Sequence, residues 1–126
     1  MCCAGRVKTE EQLTRVLAAW AAGSVAVGAA CSLSARTRGF GRQTAAWGVI
    51  DGAIAYAGVR GRRRKGPTDP VRLRRVLLVN AGLDVGYVAA GAKLLQSSRF
   101  RGDGLAVLVQ GAFLLVLDSA AAHRLR

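Results

Sequence analysis

The sequence predicts an all-α fold, a four-helix transmembrane bundle made of two tandem helical hairpins. The chain is 52% hydrophobic although its formal net charge is +12, and its charges gather in clusters that separate four apolar stretches. These stretches approach the roughly 20 residues that a helix needs to cross a bilayer. An internal repeat also divides the four helices into two pairs. We therefore expect a single membrane domain that comprises all 126 residues.

The first two helices are predicted over about residues 9–35 and 43–59. Thr9 and Gln12 have the spacing of a capping box, and Glu10 and Glu11 suit the positive end of a helix dipole. Helix 2 is short for a membrane span and carries Asp51 at its centre. The very basic segment that follows, residues 60–69, is predicted to be a cytoplasmic linker.

The last two helices are predicted over about residues 70–96 and 104–123. Asp69 followed by Pro70 is typical of a helix start, with the aspartate as the cap and the proline in the first helical position. A turn rich in arginine and glycine then leads into helix 4.

A shift of 63 positions relates the two halves of the chain. It places residues 36–41, with the pattern Arg-x-Arg-Gly-x-Gly, on residues 99–104, which have the same pattern. Several alanines and glycines of the helices match in the same register. Because each unit crosses the membrane twice, both hairpins point the same way, and their relating axis runs along the membrane normal.

The basic residues predict the topology. If the N-terminus is cytoplasmic, most of the 19 Lys and Arg residues lie on the cytoplasmic side. Cytoplasmic loops carry the excess of Lys and Arg in membrane proteins. We therefore expect a multi-pass protein of the cell membrane with both its N- and C-termini in the cytoplasm.

Polar side chains inside the predicted spans are the candidate functional residues, because a charged group at mid-membrane costs roughly 2.5–3.5 kcal/mol on insertion scales. They form stripes that should face the bundle interior. The predicted intramembrane network consists of Gln43, Asp51, Asn80, Asp84, Tyr87, Gln110 and Asp118. Asp51 and Asp84 are expected near the midplane, where no Lys or Arg lies at the same depth.

Two interpretations of this network remain open. In the first, interhelical hydrogen bonds specify the helix packing, and the protein has a structural or accessory role. In the second, the protein is a small oligomeric transporter or channel that uses Asp51 and Asp84 for protons or cations. An enzyme is not expected, since no nucleophile with an adjacent base, metal cluster or phosphate loop is recognisable. No cofactor and no metal site are expected either.

The lipid bilayer is the expected partner. Arginines of the two hairpin turns are candidates for contacts with lipid phosphates, although they would equally suit plain glycine-containing turns. These arginines are Arg36, Arg38, Arg99 and Arg101. Gly82 and Gly86 have the small-xxx-small spacing that allows close helix approach, which leaves a homodimer or an unidentified membrane partner open. The basic linker is expected to orient the helices, so nucleic acid is not an expected partner.

Three groups of motifs stand out along the chain. They are Phe40-Gly41-Arg42-Gln43 with Trp47, Gly48 and Asp51; Asn80-Ala81-Gly82-Leu83-Asp84 with Tyr87 and Gly91; and Gly102-x-Gly104 with Gln110-Gly111-x-Phe113-Leu114-Leu115 and Asp118. With these motifs, roughly residues 13–122 resemble an uncharacterised family of small bacterial four-helix integral membrane proteins. The resemblance implies the four-helix architecture and brings no activity with it. The role of Cys2, Cys3 and Cys31 stays open, since their spacing fits neither a metal site nor a disulfide framework.

Overall fold

The computed structural model describes residues 2–125 of the chain and the side chains of residues 8–125. It contains four α-helices and, within the described range, no β-strand. The helices are α1 (Cys2–Ser32), α2 (Arg38–Lys65), α3 (Pro70–Leu94) and α4 (Arg101–Arg124). The predicted all-α fold with four helices is therefore confirmed. The side chains of Cys2 and Cys3 lie outside the described residues.

α1 begins earlier than the sequence predicted. The capping box at Thr9 is wrong, because Thr9 lies inside the helix and its hydroxyl donates to the carbonyl oxygen of Gly5 (2.9 Å). The assignment of Glu10 to the helix dipole is wrong for the same reason, since the first turn holds no acidic residue. Residues 2–8 contain no proline, so nothing in that segment prevents the helix from extending through it.

α2 is longer than predicted at both ends. The predicted linker 60–69 is wrong for residues 60–65, which complete the helix. Arginine is a good helix former, and the basic side chains of the last turn interact favourably with the negative end of the helix dipole. Gly66 ends the helix with a φ of 78°, and its N–H donates to the carbonyl oxygen of Arg62 (2.9 Å). The connection to α3 is therefore only residues 66–69.

α3 begins at Pro70 as predicted. The side chain of Asp69 accepts a hydrogen bond from the N–H of Val71 (3.2 Å), and the proline occupies the first turn, where its missing N–H costs nothing.

α2 and α4 begin in the same way, each a few residues before the predicted start. The N–H of Gly41 donates to the carbonyl oxygen of Thr37, and the N–H of Gly104 donates to that of Phe100, both at 2.8 Å. The glycines assigned to turns from the sequence therefore belong to the first turns of these helices.

The four helices form two hairpins, α1 with α2 and α3 with α4, which meet chiefly along α2 and α4. Equivalent glycine contacts, related by the 63-residue shift, occur within each hairpin. A methyl group built on Gly28 would lie 2.6 Å from the carbonyl oxygen of Gly41, and one on Gly91 would lie 2.8 Å from that of Gly104. These distances are well below van der Waals contact. Only glycine therefore allows the backbones to touch here, and the internal repeat is present in the packing.

Two ends of the bundle can be distinguished. The hairpin-turn end holds residues 33–37 and 95–100, which connect the helices of each hairpin. The loop end holds residues 66–69, which join the two hairpins, together with the first turns of α1 and the last turns of α4.

The distribution of polar and apolar side chains is inverted relative to a water-soluble bundle. Large apolar residues such as Val49, Ile54 and Val116 are more than half exposed, whereas Asp51 and Gln110 are among the most buried side chains. Three helical segments are long and apolar enough to cross a membrane, namely Lys8–Ser32, Pro70–Leu94 and Arg101–Arg124. α2 is not among them, because basic residues occupy both of its ends and Asp51 lies between them.

Candidate functional site

The two hairpins enclose a cavity of about 470 Å³ between α2 and α3. Within the described residues α2 and α3 do not pack along each other, so the space between them is not filled. Side chains of α1 and α4 form the back of the cavity. At its rim, Ile54 and Leu83 are 56% and 55% exposed. The cavity therefore opens sideways, between the two helices.

Three aspartates from three helices line this cavity, Asp51 from α2, Asp84 from α3 and Asp118 from α4. Their exposed fractions are 1%, 3% and 8%. The three carboxyl groups lie close enough to one another for their charges to interact.

Two carboxyl oxygens of this cluster have no hydrogen-bond partner within the described residues. They are Oδ2 of Asp51 and Oδ2 of Asp84, and both are buried. Buried polar atoms are nearly always bonded, and an unbonded one costs about 1–3 kcal/mol. A proton, a cation or a hydrogen-bond donor that enters the cavity would satisfy them.

The spacing of the acidic groups does not suit a bare metal ion. In the part of the chain that the structure describes, no group of three or more His, Cys, Asp or Glu side chains could hold one. Divalent ions need several oxygen ligands at about 2.0–2.6 Å. The cavity has the charge that attracts a cation without the ligand cage of a metal site.

The loop end of the cavity is closed by a polar cluster that sequence reasoning missed. The carboxylate of Glu10 accepts hydrogen bonds from the N–H (3.2 Å) and the hydroxyl (2.7 Å) of Thr68. Arg62 lies 3.9 Å from the same carboxylate and donates to the hydroxyl of Thr14 (2.7 Å). The one signal in the sequence was the four-residue spacing of Glu10 and Thr14, which places both on one face of α1.

Aromatic rings lie at the other end of the cavity, towards the hairpin turns. Trp47 and Tyr87 line the cavity, and their rings pack edge to face with centroids 5.2 Å apart. The arginines that line the cavity, Arg62 and Arg72, come from the ends of α2 and α3 that meet the loop. The three aspartates therefore have no basic residue of the cavity wall beside them.

The opposite side of the bundle, between α1 and α4, is closed at the level of Trp20 and Phe113, whereas nearer the loop end a second cavity of about 430 Å³ lies between the same two helices. The ring of Trp20 stacks on that of Phe113, with centroids 3.8 Å apart and an interplanar angle of 6°. Gln110, which is 2% exposed, accepts a hydrogen bond from Nε1 of Trp20 (2.9 Å) and donates one to the hydroxyl of Ser24 (3.3 Å). At this level, these contacts fill the space that stays open between α2 and α3.

The structure thus divides the predicted intramembrane network. Most of its members line the cavity, namely Asp51, Asn80, Asp84, Tyr87 and Asp118. Gln110 belongs to the closed side, where it bonds residues of α1. Gln43 is half-buried in the second turn of α2 and does not line the cavity.

The four arginines predicted to contact lipid phosphates are exposed at the hairpin-turn end. They are Arg36, Arg38, Arg99 and Arg101. The guanidinium of Arg99 lies 5.3 Å from the centre of the Phe100 ring. The two turns lie side by side because α2 and α4 begin in contact, with a methyl group built on Gly102 only 3.1 Å from the backbone nitrogen of Phe40.

Comparison with known protein families gives a match over most of the chain. Residues 16–119 match a family of unknown function, DUF6992. The chain belongs to this family. No curated protein and no solved structure matches it. The resemblance to an uncharacterised family is therefore confirmed, and the range matched by DUF6992 includes all three cavity aspartates and Gln110, whereas Glu10 precedes it.

Proposed function

We propose that the chain is an integral membrane protein whose four helices all cross the bilayer. Three of them have the length and apolarity that a span requires. Apolar side chains cover the outside while aspartates, a glutamine and hydroxyl groups are buried, as expected when the surrounding solvent is hydrocarbon. α2 would be the fourth span, since it packs along α1 and against α4 and buries Asp51 between the hairpins.

The proposed topology places the loop end in the cytoplasm, with both termini on that side. The strongly basic end of α2 and the basic start of α3 lie there, and the hairpin-turn end carries fewer basic residues. This asymmetry has the direction of the positive-inside rule.

We further propose that the protein binds and releases protons or cations at Asp51, Asp84 and Asp118, as a small transporter or channel and not as an enzyme. One observation carries this proposal: two buried carboxyl oxygens without partners line a cavity that is open between two helices. A polar cluster that only fixed the packing would be expected to satisfy its own hydrogen bonds. Carboxyl groups inside a membrane that do not do so are typical of ion and proton pathways.

A single copy encloses little volume, so we propose that the transporter works as an oligomer. The face of α3 that carries Gly82 and Gly86 is open, since a methyl group built on either glycine would meet no atom within 4 Å. Small residues at this spacing allow a second helix to approach closely in a bilayer.

The test is proton flux in liposomes that contain the purified protein. After a pH jump outside the liposomes, the parent protein is expected to speed the change of the internal pH, reported by an enclosed dye. Asp51→Asn and Asp84→Asn should remove this flux, because the amide can neither take up nor release a proton. Asp103→Asn, at the start of α4 and away from the cavity, is the matched control and should keep it. No flux through the parent protein would contradict the transport proposal.

A structural or accessory role is the second candidate, and the closed side of the bundle favours it. The oxygen and the nitrogen of the Gln110 amide each have a partner, Trp20 and Ser24, and Gln110 is the largest of the most buried side chains. Such a buried, satisfied amide selects one arrangement of α1 against α4. It supports the interpretation of polar residues as packing determinants for this side only.

A further inference from the structure

We propose that the cavity between α2 and α3 binds an organic cation with an apolar body, an arylalkyl ammonium ion being the simplest example, which enters sideways between the two helices. This inference rests on the proposed function and names the class of its ligand. It follows from the charge of the cavity floor, the chemistry of its walls and the position of its opening.

The floor of the cavity provides the anchor for a positive group. Asp51 and Asp84 are 1% and 3% exposed, and each has an oxygen without a partner within the described residues. An ammonium group carries up to three N–H donors, which is enough to bond both free oxygens. Hydrogen bonds that involve charged groups are the stronger kind, and the low dielectric of a buried site strengthens them further. An anionic ligand would meet three carboxyl groups and is excluded.

The walls of the cavity are suited to a ligand with an apolar body. They consist mainly of aliphatic side chains, among them Ile50, Ile54, Leu77, Leu83, Leu114 and Leu117. The volume of about 470 Å³ lies within the range of roughly 300–1,000 Å³ that small-molecule sites occupy. A water molecule takes only about 30 Å³, so an inorganic ion would leave most of the cavity empty.

The aromatic end of the cavity adds a second element of recognition for the same class of ligand. Tyr87 follows Asp84 by three residues on α3, so both lie on one face of the helix. Trp47 packs against Tyr87 at that end. Ring faces within about 6 Å attract ammonium groups and also stack with an aromatic body.

The charges around the cavity also indicate the route of entry. Arg62 and Arg72 line its loop end, where Glu10 and Thr68 close it with hydrogen bonds. A cation approaching from that end would meet positive charge and a closed contact. The gap between α2 and α3 has an apolar rim and carries no basic residue beside the aspartates. An amphipathic cation that partitions into the bilayer would therefore reach the carboxyl groups through this gap.

The test uses a matched pair of ligands, 2-phenylethylammonium and neutral 2-phenylethanol, titrated into the detergent-solubilised full-length protein. Trp47 lines the cavity, whereas Trp20, the other tryptophan of the chain, lies on the closed side. Saturable quenching of tryptophan fluorescence by the ammonium ion is expected, and Trp47→Phe should remove the quenching. Calorimetric titration of the same samples measures binding without the reporter. The alcohol should bind at least about tenfold more weakly, because it lacks the charge that the carboxyl groups recognise.

Substitution of an aspartate tests whether the carboxyl groups bind the ammonium ion. Asp51→Asn keeps the shape of the side chain and should weaken binding of the ammonium ion by about tenfold or more while leaving the alcohol unaffected. Asp103→Asn should bind both ligands like the parent protein. Circular dichroism and gel filtration confirm that each variant is folded before titration.

The outcomes separate this inference from the function on which it rests. Equal affinity for the ammonium ion and the alcohol, or no saturable binding of the ammonium ion, overturns the organic-cation assignment. If liposomes then still show a proton flux that depends on Asp51, the proposed function stands without it. If neither the binding nor the flux is found, both proposals fall.

Discussion

The two sides on which the hairpins face each other are built from equivalent positions, yet at the level of Trp20 and Leu83 one side is closed and the other is open. On the 63-residue shift, Trp20 and Phe113 of the closed side correspond to Leu83 and Ile50 of the open side. The first pair stacks its rings, and the second pair lines the cavity. The helix backbones repeat at this shift, including the glycine contacts. The two sides therefore differ both in these side chains and in the approach of the helices, since α1 and α4 come into contact whereas, in the part of the chain that the structure describes, α2 and α3 do not pack along each other.

The polar residues follow the same division. Gln110 bonds Ser24 on the closed side, and the equivalent positions on the open side are Trp47 and Tyr87, whose rings touch only edge to face. Gln110, whose amide oxygen and nitrogen both have partners, closes one side at this level. The two aromatic side chains leave the space beside Asp51 and Asp84 accessible. This difference supports the proposals that the closed side serves packing and that the open side binds a ligand.

The largest effect is expected from removing the ring that closes the bundle. Trp20→Ala should lower the free energy of unfolding by about 3 kcal/mol, because it leaves a void against Phe113 and removes the donor to Gln110. Leu83→Ala, the equivalent change on the open side, should cost less than about 1 kcal/mol, since Leu83 is 55% exposed. Unfolding in mixed detergent micelles measures both values. Equal losses would show that the two sides do not differ as described.

An intermediate effect is expected from Gln110→Leu. The change removes two interhelical hydrogen bonds, each worth about 0.6–1.7 kcal/mol between membrane helices, so a loss near 1.5 kcal/mol is expected by the same unfolding measurement. Proton flux per folded protein should remain, because Gln110 does not line the cavity. Loss of flux with unchanged stability would mean that the closed side takes part in transport.

The smallest effect on stability should come from copying the closed side onto the open one. Ile50→Phe combined with Leu83→Trp places the stacking pair at the equivalent positions and should stabilise the protein by about 1 kcal/mol, the contribution of an aromatic pair. The added rings should also fill part of the cavity and abolish binding of 2-phenylethylammonium. The single variant Ile50→Phe serves as the control and should bind more weakly than the parent protein but still measurably. Unchanged binding to the double variant would place the ligand outside the cavity.

Several features of the fold and the site could be predicted from the sequence. Asp51, Asp84 and Asp118 stand out because they interrupt apolar stretches, and their spacing along each helix places them on faces that cannot point to lipid. The doubled glycine pattern gives the hairpin pairing, since backbone contact between helices requires glycine at fixed positions.

Other features depend on information that a single helix does not carry. The contact between Glu10 and Thr68 joins residues 58 positions apart and forms only once α1 packs against α2 and the connection that follows it. Gln43 and Gln110 are the same residue type inside predicted spans, yet only Gln110 meets partners from another helix. The run of basic residues after Val59 suits both a linker and the end of a helix, and packing of α2 along α1 extends the helix through Lys65.

The glycine contacts within each hairpin have a mechanical consequence. Where the backbone at Gly28 touches that at Gly41, and the backbone at Gly91 touches that at Gly104, the paired helices have no side-chain layer on which to slide. We therefore expect each hairpin to move as a rigid unit about the contact between α2 and α4. Tilting one hairpin against the other would widen the gap between α2 and α3 and compress the stacked rings of Trp20 and Phe113 between α1 and α4. If the protein spans the bilayer and transports cations as proposed, the stiffness of that aromatic stack would set how readily the cavity between α2 and α3 takes up and releases them.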